Sequence, residues 1–295
     1  TEDHPFTING VEVQAKDLNI GDVLETHTMK EEDWMFQINN VNGFELTKDF
    51  GWLMGLFITD GNYDRSNSCV WQVTQKDGPI LQRLKNILDN LEIKYSLTNI
   101  EDSGCVSLIV YSKDWTNLFY ETFGITKGSK YKCLPPSILK FNKEFVYGLI
   151  SGVVDGDGCV LPDEYGCTIN VGVASRSLTN QLQIVLDVLG VKTYCHMQLS
   201  NIVQKCTIHG KERMMKQNMP VFRMTFRTTE EVVKSICEHS IKLKEKNITN
   251  FSVYRNDSRD GTIKAIKDHP IIDEYVYDFT TDSSHFLING IRVHN

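Results

Sequence analysis

The feature that most constrains this chain is a short apolar segment, present twice, that ends in an acidic residue and a glycine. The copies are LMGLFITDG (53–61) and SGVVDGDG (151–158), and their last acidic residues, Asp60 and Asp157, are 97 positions apart. Each copy is expected to be a helix although it contains an interior glycine, which costs about 1 kcal/mol of helix propensity. Because glycine has no Cβ, two such helices can pack with their backbones in close contact. The repeat therefore predicts a tight helix pair that brings two carboxylates together.

The elements around these helices also occur twice. Hydrophobic periodicity predicts the order helix, strand, helix, strand, strand, helix after Thr47, the expected N-cap of the first helix, and the same order again from about residue 143. Gly55 and Gly152 occupy matching places in the two copies. An internal repeat of this kind predicts an α+β domain of two similar halves, which we place at 46–250.

The two ends of the chain have a different predicted secondary structure from the middle. Residues 1–45 and 251–295 consist of short strand-like segments and turns, including a hairpin signal at Asn9-Gly10. Similar ends around a different middle are typical of one domain inserted into another. We therefore predict a β-rich domain formed by 1–45 and 251–295, interrupted by the two-repeat domain.

Composition narrows the classes of protein. The formal net charge of −7 lowers the expectation of a nucleic-acid partner, but it does not exclude a local basic face. The eight cysteines form no CxxC pair and no zinc-ligand spacing, so we expect reduced thiols and an intracellular protein. No apolar run is long enough to span a bilayer and no secretory signal is visible, so we expect no membrane partner. Since the chain lacks an initiator Met, we expect it to be a processed or trimmed piece.

The paired carboxylates predict a metal site. Two close carboxylates repel each other, and a divalent cation relieves the repulsion. Carboxylates with bound Mg²⁺ are also suited to phosphodiester hydrolysis. We predict that Asp60 and Asp157 are catalytic residues that bind Mg²⁺ or Mn²⁺. A single copy would be interpreted as a buried helix that ends in an Asp-Gly turn, but two copies at the same place in a repeat favour the site.

The predicted strands offer polar faces to a DNA duplex. In FRMTFRT, alternation puts Phe222, Met224 and Phe226 on one face and the remaining side chains on the other. Side chains of Arg, Gln, Asn and Thr suit base readout in the major groove. The alternative is an ordinary amphipathic strand with a solvated face. The predicted DNA-binding residues are Gln72, Thr74, Thr168, Asn170, Arg223, Thr225 and Arg227.

The two acidic segments resemble the two LAGLIDADG motifs of monomeric homing endonucleases, over roughly residues 46–250. The first copy departs from the motif at Ile58 and Thr59, but both copies keep the last acidic residue. The resemblance implies a saddle of strands that holds double-stranded DNA. It also implies catalytic lysines, here Lys132 in KCLPPSIL and Lys242 in CEHSIKLKEK, with Lys244 as the alternative to Lys242. A lysine near the scissile phosphate can stabilise developing charge or polarise the attacking water, whereas either lysine alone would be interpreted as a solvated surface charge.

The chain ends suggest a second chemistry. An asparagine side chain can attack its own backbone carbonyl, which forms a succinimide and releases the downstream peptide when the geometry is held and an acid is nearby. His294 precedes Asn295, and His285 is brought close by a predicted strand turn. The first residues, TEDH, place Thr1 and His4 where they can assist an acyl shift.

These ends resemble an intein, in particular the yeast vacuolar-ATPase intein group: TEDH is similar to its block B, and YVYDFTTDSSHFLINGIRVHN to its last two blocks. The resemblance implies an all-β Hint-type splicing domain, here incomplete, and splicing that needs no cofactor. The first nucleophile segment of the family is absent, so we expect a complementary N-terminal intein fragment and flanking extein sequences as partners. The resemblance assigns Thr1 and His4 to the first acyl shift, Asp278 and His285 to the middle steps, and His294 to the cyclisation of Asn295.

Four functions are compatible with these sequence features. The first is a bifunctional intein that carries a homing endonuclease, and the second is a LAGLIDADG protein that binds nucleic acid without cutting it. The third is a free-standing endonuclease with inactive splicing remnants, and the fourth is a Hint-type autoprocessing domain of another class, which would not need the carboxylate pair. The presence of both Asp60 and Asp157 favours the first. Its localisation would follow the host protein, and homing in a eukaryote would require the nucleus.

Overall fold

The computed structural model describes residues 2–26, 30–63, 70–100, 103–163, 166–198, 203–208, 211–216, 221–227, 230–246, 261–263, 265–266, 285–288 and 291–294. The chain divides into two compact units. The first unit comprises Thr1–Lys30 with Arg255–Asn295, and the second comprises Glu31–Tyr254. The chain thus leaves the first unit, forms the second, and returns to the first.

The strands are β1 (Pro5–Ile8), β2 (Val11–Gln14), β3 (Asn40–Val41), β4 (Phe44–Glu45), β5 (Gly61–Tyr63), β6 (Val70–Lys76), β7 (Ser96–Ile100), β8 (Cys105–Tyr111), β9 (Gly158–Asp163), β10 (Gly166–Val173), β11 (Thr193–Gln198), β12 (Val203–Ile208), β13 (Lys211–Lys216), β14 (Val221–Phe226), β15 (His285–Ile288) and β16 (Ile291–His294). The helices are α1 (Lys48–Asp60), α2 (Pro79–Asn90), α3 (Lys113–Asn117), α4 (Lys143–Asp157), α5 (Arg176–Val188), α6 (Glu230–Cys237) and α7 (Ile241–Glu245). Among the helices of the described ranges, none combines the length and the apolar character needed to cross a bilayer.

In the described part of the first unit, four strands form a sheet of order β15-β16-β1-β2. Asn9 (φ 50°) and Gly10 (φ 78°) form the two-residue turn between β1 and β2, which confirms the predicted hairpin, because such turns need a left-handed backbone at both positions. Strand β1 pairs with β16, with Phe6 opposite Val293, so one sheet joins strands from the two ends of the chain.

The second unit confirms the α+β architecture of two repeats. The first repeat has a sheet of order β5-β6-β8-β7 and the second has β9-β10-β14-β11, so corresponding strands occupy corresponding places. The second repeat also contains an added hairpin, β12–β13, between β11 and β14. The N-cap prediction is confirmed: the Thr47 side chain accepts a hydrogen bond from the backbone N–H of Phe50 at the start of α1.

Residues 31–45 belong to the second unit, whereas the sequence led us to place them in the β-rich domain. The backbone N–H of Phe36 donates to the carbonyl of Leu139 at 2.9 Å, and Ile38 bridges Phe141 in parallel. Met35 is buried. These contacts tie the segment to the chain just before α4, which is why the first unit ends at Lys30 and not at residue 45.

The core of the second unit is rich in aromatic side chains. Phe57 of α1 stacks on Trp71 of β6, with ring centroids 4.7 Å apart, and Phe119 packs edge-on against both rings. All three side chains are fully buried. Aromatic pairs of this kind contribute about 0.5–1.5 kcal/mol beyond their burial, so this cluster holds α1 firmly on its sheet.

Candidate active site

Helices α1 and α4 approach each other through their backbones. A Cβ added at Gly51 would overlap the carbonyl oxygen of Phe145, and a Cβ added at Gly148 would overlap that of Lys48. The residues of α4 in these contacts lie 97 positions after their counterparts in α1. The two helices therefore meet about a local pseudo-two-fold axis.

One turn further along, the same contact is repeated. Gly55 lies against the carbonyl of Leu149, and Gly152 lies against that of Trp52, again too close to admit a Cβ. This confirms the predicted packing role of Gly55 and Gly152. The sequence reasoning missed Gly51, although its 97-residue spacing from Gly148 was visible in the sequence.

Asp60 and Asp157 end the two helices, and glycine C-caps turn each chain directly into the first strand of its repeat. The helix ends are close: Asp60 Oδ2 lies 3.0 Å from the place that a Cβ would take on Gly156. The packing of the helices thus converts a sequence separation of 97 residues into a shared site.

The two carboxylates are electrostatically coupled. Partial loss of hydration beside the surrounding protein, with a smaller contribution from the charge of Asp60, raises the pKa of Asp157 to about 6, although the residue keeps solvent exposure and Lys132 and Lys242 oppose the rise. Burial also raises the pKa of Asp60, while a hydrogen bond from Gln75 and the same two lysines oppose the rise. Clustered carboxylates with raised pKa values are typical of catalytic and metal sites.

Gln75 is a site residue that the sequence reasoning missed. Its Nε2 donates to Asp60 Oδ2 at 2.6 Å. The available signal was strand alternation: Gln75 has the same parity in β6 as the buried Trp71 and Val73, and a polar side chain on that face needs a polar partner. In the second repeat the matching place, aligned through the strand pairing, is the buried Val173.

Each predicted lysine lies at the end of one helix. The Lys132 ammonium donates to the carbonyls of Phe57 (3.1 Å), Thr59 (3.2 Å) and Gly61 (2.5 Å), and the side chain is almost fully buried. Burial lowers the pKa of Lys132 to about 8, although Asp157 and Asp60 act in the opposite direction. Lys132 is therefore not a solvated surface charge.

Lys242 occupies the equivalent place on the second repeat. Its ammonium donates to the carbonyls of Gly156 (2.8 Å) and Gly158 (2.9 Å), which correspond to Thr59 and Gly61. Lys244, the alternative from the sequence, is exposed to solvent. The geometry thus places Lys242, and not Lys244, beside the carboxylates.

The predicted DNA-binding residues lie on the strand faces that alternate with the buried ones. Met224 and Phe226 are buried while Arg223 is exposed, as the alternation predicted. Neighbouring strands add hydrogen bonds on these polar faces: Thr225 Oγ1 donates to Asn170 Oδ1 at 2.5 Å, and Thr74 shares a hydrogen bond with Ser107 at 3.0 Å. The remaining predicted residues lie at the expected positions: Gln72 on β6, Thr168 on β10, and Arg227 directly after β14.

The residues present fit a hard divalent cation. Mg²⁺ binds through one or two carboxylates and completes its shell with water and substrate phosphate. Asp60 and Asp157 converge and repel each other, which is the condition that a cation relieves. Within the described ranges, no group of three or more His, Cys, Asp or Glu side chains is arranged to hold a metal ion, and the candidate ligands at this site are Asp60 and Asp157.

Three of the predicted splicing residues lie at one end of the sheet in the first unit. His285 is opposite His294 in the β15–β16 pairing, and His4 directly precedes β1, whose Phe6 pairs with Val293. The ring of His4 contacts that of Phe6 edge-on, with centroids 5.5 Å apart, and its buried Nε2 has no hydrogen-bond partner among the described residues. Thr1, Asp278 and Asn295 lie outside the described residues.

Two helices packed through glycine, each ending in a carboxylate above its own sheet, define a protein of the LAGLIDADG class. The LAGLIDADG-like domain family matches residues 47–124 and 144–230, which together make up more than half of the chain. The chain belongs to this family.

One curated relative is similar to part of the chain. The DNA-directed RNA polymerase subunit Rpo1C of Methanocaldococcus jannaschii is 28% identical over 167 residues, which are 55% of this chain and 18% of that protein. The chain therefore spans about a fifth of the length of this curated relative.

Solved structures with a similar fold include homing endonucleases. A mesophilic variant of I-DmoI has a TM-score of 0.42 at 16% identity, covering 65% of this chain and 96% of that one. I-DmoI in complex with DNA and Mn has a TM-score of 0.41 at 18% identity, covering 64% and 94%. Full-length DUF199/WhiA from Thermatoga maritima has a TM-score of 0.43 at 10% identity, covering 70% and 60%.

Proposed function

We propose that the second unit is a site-specific endonuclease that cuts both strands of double-stranded DNA with Mg²⁺ or Mn²⁺. One observation carries the proposal: Asp60 and Asp157, one from each repeat, converge at the ends of α1 and α4, and each helix end holds one lysine ammonium. This arrangement provides two related half-sites, one for each strand of a duplex.

The chain's own residues have distinct roles in this proposal. Asp60 and Asp157 hold the cation, which would polarise the phosphoryl oxygen and lower the pKa of a bound water. The ammonium groups of Lys132 and Lys242 stabilise the charge that develops on the phosphate. The polar faces of β6, β10 and β14 read bases in the major groove, and Arg223 supplies a long, exposed basic side chain to this surface.

A plasmid library that carries randomised inserts tests the nuclease. The chain is incubated with the library and Mg²⁺, and linearised plasmids are sequenced at their ends. We expect one recurrent sequence at the cut, and no cutting with EDTA or with Asp157→Asn. Specific binding of duplex DNA without cutting by the wild-type chain would instead establish a nucleic-acid-binding protein.

For the first unit we propose protein splicing in trans. Support comes from the sheet, which joins β1 to β16 and brings His4, His285 and His294 to one end. In this proposal His4 acts with Thr1 in the first acyl shift, and Asp278 acts with His285 in the middle steps. His294 then assists Asn295 as it cyclises. A complementary N-terminal fragment supplies the first nucleophile and the rest of the Hint fold, flanking exteins are the substrates, and no cofactor is required.

Reconstitution tests the splicing. The chain is extended by a few residues beyond Asn295, mixed with an N-terminal intein fragment, and the products are weighed by mass spectrometry. We expect a ligated extein that is lost in Asn295→Ala. Absence of both ligation and tail release would overturn the splicing proposal and leave an endonuclease with inactive remnants. The localisation that follows is inside the cell with the host protein, and the nucleus for homing in a eukaryote.

A further inference from the structure

Asp155 is a buried carboxylate in the last turn of α4 that lies beside the paired site. Its side chain is 1% exposed. Oδ2 accepts hydrogen bonds from Trp52 Nε1 (2.7 Å) and from the backbone N–H of Ile241 (2.9 Å). Oδ1 accepts from Ser240 Oγ (2.7 Å) and from the backbone N–H of Lys242 (3.0 Å). A buried carboxylate with this many donors is held firmly, because hydrogen bonds to an ionised acceptor are about twice as strong as neutral ones.

These hydrogen bonds fix the backbone that carries Lys242. Ser240 is the N-cap of α7, and the Asp155 carboxylate accepts hydrogen bonds from the next two backbone N–H groups, those of Ile241 and Lys242. From this anchored start the Lys242 side chain reaches back to the carbonyls of Gly156 and Gly158, which flank Asp157. The same turn of α4 therefore carries both the carboxylate of the half-site and the anchor of its lysine.

The first repeat holds its lysine in another way. The residue that corresponds to Asp155, 97 positions earlier, is Ile58, which is buried and cannot accept a hydrogen bond through its side chain. Instead the carbonyl of Lys132 accepts from Ser175 Oγ at 2.7 Å. The two half-sites are thus built unequally, although the helix pair beneath them is nearly symmetric.

We propose that Asp155 is a positioning residue for Lys242, and through it for the half-site built on Asp157. The catalytic consequence rests on the proposed endonuclease function, whereas the placement of Lys242 does not. Without the anchor the start of α7 is released and the Lys242 ammonium leaves the carbonyls of Gly156 and Gly158. The half-site of Lys132 has no contact with Asp155 among its described hydrogen bonds, so the loss falls on one strand of the DNA.

The placement is tested without DNA by limited acetylation with acetic anhydride, followed by peptide mass spectrometry. We expect Asp155→Asn to increase the modification of Lys242 several-fold and to leave that of Lys132 unchanged. The matched control is Asp187→Asn, which removes the charge of a similarly buried carboxylate on α5 and should change neither. Unchanged Lys242 modification in a folded Asp155→Asn protein overturns the proposal.

The catalytic consequence is tested on supercoiled plasmid that carries the recovered target. We expect Asp155→Asn to accumulate nicked circles, with the second cut slowed about tenfold to a hundredfold and the first unchanged, because a misplaced group costs on this order. Equal slowing of both cuts overturns the positioning role. If Asp155→Asn does not fold, Ser240→Ala, which removes one of the four donors, should shift both readouts in the same direction. A wild-type chain that cuts no DNA would overturn the endonuclease and leave the acetylation result to decide the placement.

Discussion

Substitution of Gly152 by alanine tests the helix pair on which the site depends. The added Cβ would overlap the Trp52 carbonyl oxygen and would lie 2.8 Å from the backbone nitrogen of Leu56. These neighbours are backbone atoms, so the helices themselves must separate. An added methyl group in a well-packed core lowers the free energy of unfolding by about 3 kcal/mol at the upper end of the usual range. Alanine regains about 1 kcal/mol of helix propensity. We therefore expect the free energy of unfolding to fall by about 2 kcal/mol.

Urea denaturation followed by tryptophan fluorescence measures this loss, because all four tryptophans lie in the second unit. With an m-value of about 3 kcal/mol/M, the midpoint should fall by roughly 0.7 M. Gly78→Ala is the matched control: among the described residues no atom lies within 4 Å of a Cβ added at Gly78, and its φ of 170° is extended, so we expect little change.

The pseudo-symmetry sharpens the test. Gly55→Ala should cost about as much as Gly152→Ala, because Gly55 meets the carbonyl of Leu149 in the same way. The double variant should cost less than the sum, because one separation of the helices relieves both overlaps. A Gly152→Ala midpoint as high as that of Gly78→Ala would refute the backbone-contact reasoning, and strict additivity would refute the shared origin of the two costs.

Four further predictions concern the site and the polar strand faces beside it. The pKa of Asp157 is raised to about 6 from 3.8, so Mn²⁺ affinity measured by calorimetry should fall as the pH drops below about 6; a flat profile from pH 7 to 5 would contradict this. Since ionised Asp157 destabilises the folded state, Asp157→Asn should raise the free energy of unfolding by about 1 kcal/mol at pH 7 after allowance for solvent screening. That gain should vanish below about pH 4, where the carboxyl is protonated in both states, and a gain that persists there would rule out this cause. Gln75→Ala should raise the pKa of Asp60 further in an NMR titration, whereas Gln72→Ala, on the opposite face of β6, should not. Arg223→Ala should relax base preference at one target position by about 1–3 kcal/mol in competition binding, and uniform weakening on all sequences would assign this residue to the phosphates instead.

The repeat made the centre of the site predictable. Gly55, Gly152, Asp60 and Asp157 recur at one spacing, and close helix packing follows from the glycines by simple sterics. Lys132 lies far from these residues in sequence, and only the resemblance to a family pointed to it.

Other features depended on tertiary contacts that no local pattern shows. No local pattern around Asp155 indicates its role, because its hydrogen-bond donors come from Trp52 and from a segment more than 80 residues away. The placement of 31–45 depended on backbone hydrogen bonds to residues near 140, which leave no periodic signal. The β12–β13 hairpin interrupts the second repeat without a counterpart in the first, so the internal comparison could not reveal it.

The contact between α1 and α4 also sets a length scale. At each of these contacts a glycine of one helix lies directly against a backbone carbonyl of the other, so no layer of side chains separates the helices there. The distance between the two half-sites is therefore set by contacts between backbone atoms. Substitutions in the surrounding apolar core can change stability without changing that distance. The glycine surface of α1, formed by Gly51 and Gly55, matches the surface of α4 against which it packs, formed by Gly148 and Gly152. Each half therefore presents a surface that can pack against a copy of itself, as the subunits of an isologous dimer do. The single chain thus has the kind of interface found between two identical subunits, with the two halves joined covalently.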